Sequence, residues 1–253
     1  MSFILDMKIN FNPMYKPVFT SNARRYNDSF GDYLGCNTWF FRDDVNWKEL
    51  TEYELEHFKN KEKVNIVMFA ASDGSEAYTK IISLLEKGCD KVKKFFPIKA
   101  YDIDNVILKA AQSGLIKTTM FDRIELQINC DNYENYFEKT DNTLEISNDK
   151  SSNPTKVLKA KDDLTQRVEF KYGDMFQKIK EINDNSNTIL MCRNILGYFT
   201  NDKIENFVEL AKNSLKSGSL FVVGDHDSVL CNIEDVMKNF NFKRVIKNVY
   251  QKI

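Results

Sequence analysis

Histidine is nearly missing from this chain of 253 residues; the two present, His57 and His226, lie far apart. Cysteine is sparse as well. The five are Cys36, Cys89, Cys130, Cys192 and Cys231, an odd number with no pair at metal-ligand spacing. These two shortages exclude a His/Cys zinc site and a disulfide framework, and they fit reduced thiols in a cytoplasmic protein. Long apolar runs are absent too. The longest, Ile66–Ala71 and Leu220–Gly224, are strand-sized, far short of the ~20 residues of a membrane-crossing helix. The opening MSFILDMKINFNP lacks a basic region, an extended apolar stretch and a small-residue cleavage site, so no signal peptide is expected. Neither sign of charge dominates: 36 Lys and Arg face 37 Asp and Glu, a formal net charge of -1. Nothing overall therefore points to nucleic acid or to an anionic membrane as a partner.

What is present suits a folded domain. Hydrophobic residues make up 42% and charged residues 29%, enough for one large core with at most a small appendage. Up to about Arg42 the chain is irregular, and the spacing of Trp47, Leu50, Tyr53, Leu55 and Phe58 then predicts a helix over Asp43–Asn60. The uninterrupted apolar run Val64–Ala71 predicts a parallel strand covered on both faces. A helix over Glu76–Glu86 with Gly88 as its C-cap follows, then a strand over Phe95–Tyr101 and a helix over Asn105–Gln112 closed by Gly114. Val168–Tyr172, Met175–Ile182, Thr188–Cys192, Lys203–Leu215 and Leu220–Gly224 continue the alternation of strand and helix. Asn232–Asn239 and Phe242–Lys252 end it as a helix and a hairpin. This order predicts an open α/β sheet, mainly parallel, with residues 1–60 as an N-terminal segment and 61–253 as the main domain. The polar stretch 131–163, with SNDKSSNP, interrupts the rhythm. It reads either as a surface insertion or as a small excursion of short strands at Thr143–Ile146 and Lys156–Ala160.

The loop after the first long strand, AASDGSEAY, holds one glycine, no lysine and two acids. A dinucleotide loop or a P-loop needs several glycines, or a lysine, to approach phosphate. Asp73 and Glu76 disfavour phosphate and favour a ligand with an amino group and a positive centre, which describes S-adenosylmethionine. Its ribose would be held by an acid at the end of the second strand, Asp102 before Asp104, and its adenine amine by Asp174 after the third. Taken singly, each acid reads equally as a solvated loop residue or a helix cap. The acids are ligands for an organic cation and hydroxyls in this reading, so no metal is expected.

Five ordered motifs sharpen this: NTWFFRD (37–43), AASDGSEAY (70–78), AYDIDNVILKAAQSG (100–114), CRNILGYF (192–199) and NVYQK (248–252). Together they resemble the chemotaxis-receptor glutamate methyltransferases of the CheR type, which carry T-x-F-F-R, A-x-S-x-G-E-E-P-Y, D-I-D…A-x-x-G and C-R-N-x-x-x-Y-F at similar positions. The resemblance implies a Rossmann-like class I methyltransferase fold with a C-terminal antiparallel hairpin, S-adenosylmethionine as cofactor, and a chemoreceptor-like protein as methyl acceptor. It implies that Thr38, Arg42, Ala70, Glu76, Asp102, Asp174, Met175, Arg193 and Asn194 contact the cofactor, with Arg42 and Tyr198 around the transferred methyl. The chain departs from the pattern at several points. Ser75 and Ala77 replace a Glu and a Pro, Cys36 and Asn37 replace a motif Asn, and Asp174–Met175 replaces Asn–Leu. GDHDS (224–228) stands where the family has G-H-S-E, and fewer than forty residues precede the first motif.

A carboxylate is already nucleophilic at neutral pH, so methyl transfer to it needs no general base, and the lack of a catalytic His or Cys is expected. The remaining work is alignment and exclusion of water, for which an arginine fork and a phenol are suited. Two other readings stand beside protein-glutamate methylation: methyl transfer to another protein or a small molecule, and a non-catalytic sensor of the cofactor or its demethylated product. Retention of both Arg42 and Tyr198 weighs against the sensor.

Overall fold

Apolar runs without polar interruption become the centre of the sheet, because both of their faces are covered. The computed structural model describes residues 24–27, 33–36, 38–140, 156–182 and 185–253. Strands β1 (Arg24–Asn27) and β2 (Tyr33–Cys36) pair antiparallel ahead of α1 (Trp47–His57). Then come β3 (Asn65–Phe69), α2 (Ser75–Leu85), the short α3 (Cys89–Val92), β4 (Ile98–Asp102) and α4 (Asn105–Ser113). An excursion follows: β5 (Leu115–Thr118), α5 (Met120–Asn129), β6 (Phe137–Lys139) and β7 (Lys156–Ala160). The chain returns through α6 (Asp162–Thr165), β8 (Val168–Tyr172), α7 (Met175–Lys178), β9 (Thr188–Cys192) and α8 (Asn201–Ser214). It closes with β10 (Leu220–Val222), α9 (Asp225–Leu230), α10 (Ile233–Asn239), β11 (Phe242–Ile246) and β12 (Val249–Lys252).

Seven strands form the main sheet in the order β8-β4-β3-β9-β10-β12-β11. The first five are mutually parallel, and β12 runs antiparallel to both β10 and β11. Side chains alternate between two cores. Ile66 and Met68 of β3, Ile189 and Met191 of β9, and Leu220 and Val222 of β10 face one; Val67, Phe69, Leu190, Cys192 and Phe221 face the other. Each of these side chains, removed from water, stabilises the fold by roughly 1.5–3 kcal/mol. The first core also takes in Phe40, Phe41, Val45, Trp47, Leu50 and Phe58, so the stretch leading into α1 packs directly on the sheet. Lys80 of α2 and Glu54 of α1 form an ion pair with both side chains 0% exposed, fastening the two helices. Burial pushes the Glu54 carboxyl up and the Lys80 ammonium down, each opposed by the other's charge.

A second sheet, β5-β7-β6, is antiparallel throughout. Lys156–Ala160 is thus a strand, as one reading of the polar stretch expected, while Thr143–Ile146 lies outside the described residues. The excursion begins earlier than the polarity shows, at β5 and α5; β5 is only four residues long, but α5 carries an amphipathic face and opens on a capping box between Thr119 and Asp122. Phe137 of β6 meets Phe40 edge-on at 5.3 Å and Tyr78 at 6.3 Å, which docks the small sheet onto α2 and the segment before α1.

Other boundaries differ for local reasons. Helix α1 starts at Trp47, because the Asn46 side chain accepts from the Glu49 N–H at 3.1 Å and caps it. Pro97 has no N–H to give a ladder, and β4 begins after it. Gly88 does not cap α2; the helix ends at Leu85 with Glu86 as its C-cap, and Gly88, with φ 100°, turns the chain into α3.

Candidate active site

In chain order the sheet fills outward from β3 through β4 to β8, and then from β9 through β10 on the other side. The crevice beyond the carboxyl ends of β3 and β9 is the switch point, where ligands bind in sheets of this kind. The loop after β3 is sharply turned. Ala70 and Ser72 have φ of 55° and 53°, and Gly74 has 87°. Left-handed geometry at two non-glycine residues costs on the order of 1 kcal/mol each, and neighbouring bonds hold it. Ala71 N–H donates to the Tyr101 carbonyl at 3.0 Å and Ser72 N–H to Asp102 Oδ2 at 2.8 Å. A Cβ at Gly74 would lie 2.7 Å from Phe170 Cζ, so glycine is required there for packing as well as for φ.

The acids divide by task. Asp73 is fully buried and its Oδ1 accepts from Ser75 N–H at 3.0 Å and Ser75 Oγ at 2.7 Å, so it serves the loop. Asp104 caps α4 by accepting from Val106 N–H at 2.8 Å, and Asp174 caps α7 by accepting from Phe176 N–H at 2.7 Å. Asp102, at the end of β4, accepts from Ser72 N–H and, through Oδ1, from Asp104 N–H at 2.9 Å. Burial pushes its pKa up, opposed by those backbone donors. Glu76, in the first turn of α2, is also pushed up by burial, opposed chiefly by Arg193.

Four of the expected residues converge through one that the sequence did not single out. Asp44 accepts from Arg193 Nη2 through Oδ1 and from Asn194 Nδ2 at 2.6 Å through Oδ2, and Arg42 Nε lies 3.7 Å from Oδ2. Arg193 spans to Glu76 as well, Nη1 to Oε2 at 2.9 Å, and its guanidinium lies 4.8 Å from the Trp47 ring centroid. Arg42 stacks on Trp39 at 4.3 Å and keeps 20% of its side chain exposed. Its presentation depends on Phe41, whose φ is 49°, with Phe40 N–H donating to Asp122 at 3.0 Å and Phe41 N–H to Thr79 Oγ1 at 3.1 Å. Asn194, at φ 57°, packs so closely over Gly224 that any Cβ there would fall 2.2 Å from its Oδ1. Asp227 accepts from the N–H groups of Asn194, Gly224 and Gly197 at 2.6, 2.9 and 3.2 Å. Asn248, in the closing NVYQK motif, donates to the Asp44 carbonyl at 2.8 Å and to Asp225 Oδ1 at 2.6 Å. In sequence Asp44 and Asp227 look like any other acid; what sets them apart is the partners that distant segments bring to them, two arginines and Asn194 to the one and three backbone N–H groups to the other.

Ala70 is exposed at the turn after β3, and Met175 is buried at the start of α7. The side chains of Thr38 and Tyr198 join this network by neither hydrogen bond nor ion pair among the described residues. Tyr198 packs its ring on His226, centroids 5.3 Å apart. Among the described residues, no group of three or more His, Cys, Asp or Glu side chains is placed to hold a metal ion, and no helix is long and apolar enough to cross a membrane.

A seven-stranded sheet that is parallel except for β12, and a crevice lined by acids at its switch point, define a Rossmann-like class I methyltransferase fold. The model of the CheR methyltransferase SAM-binding domain matches residues 37–246, and the chain belongs to that family of S-adenosylmethionine-dependent methyltransferases. It is 24% identical over 215 residues to chemotaxis protein methyltransferase 2 of Vibrio cholerae serotype O1, which covers 83% of this chain and 67% of that protein. Among solved structures it is similar to an O-methyltransferase family protein from Burkholderia thailandensis (TM-score 0.39, 12% identity, 82% of this chain and 56% of the other). It is also similar to magnesium protoporphyrin IX methyltransferase from Synechocystis PCC 6803 with bound SAM (TM-score 0.40, 8% identity, 82% and 76%). The chain spans a little over half of the first of these two structures.

The residues in the crevice suit S-adenosylmethionine. Glu76 is an acid partly open at a site without lysine, and Asp102 keeps acceptor capacity beyond its two backbone bonds, since each carboxylate oxygen has two lone pairs. Asp174 is committed at Oδ1 as a cap and has Oδ2 to offer.

Proposed function

We propose that this protein methylates a carboxylate, most directly a glutamate side chain on a chemoreceptor-like protein, from the cytoplasmic side. The observation that carries the reading is Arg42: a guanidinium stacked on Trp39, partly exposed, and ion-paired at 3.7 Å with an acid that also grips Arg193 and Asn194. A fork held in this way is able to meet an incoming carboxylate with two parallel hydrogen bonds, which an exposed, freely rotating lysine does not do. S-adenosylmethionine, when bound, supplies an electrophilic methyl group. The chain's part is to hold the acceptor in line and keep water away, with Asp102 taking the ribose, Glu76 the amino group, Arg193 and Asn194 the methionine side, and Asp174 and Met175 the adenine. Thr38 and Ala70 complete the cofactor contacts, and Tyr198 holds or shapes the acceptor side. The name of the Vibrio cholerae relative supports a chemotaxis protein as acceptor.

The test is incubation of the protein with methyl-labelled cofactor and cytoplasmic receptor fragments. Methyl esters release labelled methanol in mild base, whereas methylated nitrogen does not. Base-labile label that disappears when the acceptor glutamates are changed to alanine supports the proposal. Base-stable label, or label only in small metabolites, refutes it in favour of another acceptor.

A further inference from the structure

Asp44 lies just outside the TWFFRD motif, yet its side chain, 6% exposed, is the joint of the site. Its two oxygens meet Arg193, Asn194 and Arg42, while its backbone carbonyl is separately held by Asn248. Arg193, with 1% of its side chain exposed, is thereby shared between two carboxylates, Asp44 on Nη2 and Glu76 on Nη1. Glu76 is the more open of the two, at 18%. A buried guanidinium that already has one full negative partner neutralises the second only in part.

We infer that Asp44 is a positioning residue that shares the charge of Arg193, so that the Glu76 carboxylate, once ionised, is only partly neutralised and stays open to a cationic amino group. The inference rests on the reading of the crevice as an S-adenosylmethionine site. Glu76 is in contact with Arg193 at the end of β9 and feels the charges of Asp44 and Arg42 from the segment before α1 and of Asp227 from α9, and the buried Cys192 thiol of β9 is close enough to feel it in turn. Removing the charge of Asp44 sends Arg193 fully to Glu76, which both blocks that carboxylate and favours its ionised form. Replacing Arg193 by lysine, whose single ammonium cannot span two carboxylates, has the opposite effect on ionisation.

The experiment is calorimetric titration of S-adenosylmethionine from neutral pH down through the ordinary carboxylate range into wild type, Asp44→Asn, Asp44→Glu and Arg193→Lys, with a thermal melt of each. Asp44→Asn keeps the backbone bond to Asn248 and is expected to weaken affinity about tenfold at neutral pH, the worth of one hydrogen bond to a charged group. Its acid limb, the pH below which affinity falls, should move to lower pH. Asp44→Glu should leave the limb at the wild-type position, and Arg193→Lys should move it to higher pH. A tenfold loss with an unmoved limb makes Asp44 merely structural and overturns the inference. So does an unmoved limb in Arg193→Lys, which carries the test if Asp44→Asn does not fold. A wild type that binds no S-adenosylmethionine overturns the site reading itself, while a binding wild type with unresponsive variants overturns only the role of Asp44.

Discussion

Replacing Asp102 with alanine should separate what this acid does for the fold from what it does for the cofactor. In the structure it ties the loop after β3 to the end of β4, accepting from Ser72 N–H at 2.8 Å and from Asp104 N–H at 2.9 Å. Both donors are half-buried, so water reaches them once the carboxylate is gone, and the loss sits at the low end for charge-assisted bonds, about 1–2 kcal/mol in all. For a chain of this size that lowers the melting temperature by a few degrees, at roughly 2–4 °C per kcal/mol. Cofactor affinity should suffer more. Two lost bonds to the ribose hydroxyls cost on the order of 3 kcal/mol, a weakening of roughly a hundredfold. Asp102→Asn retains one acceptor oxygen but turns an amide donor toward a backbone N–H, so it should melt no higher than wild type and still lose more than about tenfold in affinity. The assay is calorimetric titration of S-adenosylmethionine beside a thermal melt of each variant. A folded Asp102→Ala protein whose affinity stays within about threefold of wild type would refute the ribose assignment and leave Asp102 as a fastener of the loop.

Three further outcomes are expected. Arg42→Lys should not restore methyl transfer, because the charge survives and the fork does not, and Tyr198→Phe should lower turnover with cofactor affinity kept within a few-fold; wild-type rates in both would move the reacting centre elsewhere. Acidification should act in opposite directions on binding and on the free protein. Burial raises the pKa of Glu76 and Asp102, so both protonate above the ordinary carboxylate range and affinity for a cationic ligand falls as pH drops through it. In the unliganded protein the same raised values contribute stability below the unfolded carboxylate pKa that is lost as pH rises through the folded one; affinity that begins to fall only within the ordinary carboxylate range would contradict this. Finally, Phe137→Ala should cost about 3–5 kcal/mol, since its ring fills the space between Phe40 and Tyr78, and a melting temperature within a degree of wild type would show that the small sheet is not docked there.

Much of the architecture was legible because it rests on patterns the chain carries locally. Continuous apolar runs marked β3, β9 and β10, and the strands Val168–Tyr172 and Thr188–Cys192 begin and end where their composition changes. In the excursion, α5 was legible from its amphipathic face and its Thr119–Asp122 capping box, but β5 and β6 were not. The strands there are three to five residues long and are held by partners tens of positions away, such as Phe137 on Phe40, so no window of sequence contains the interaction that makes them.

The same division runs through the site. Motif order and the position of acids after strands were enough to nominate Arg42, Glu76, Asp102, Arg193 and Asn194. They were not enough to tell one acid from another. Asp73, Asp104 and Asp174 accept from N–H groups two places ahead, Asp102 also reaches across to Ser72 in the loop after β3, and Asp44, unremarkable in sequence, is the acid on which two arginines meet. The chemistry of a carboxylate is written in its residue type. Its charge state and its partner depend on burial and on which distant segment packs against it, and those exist only once α1, β9 and the hairpin turn at Asn248 have come together around it.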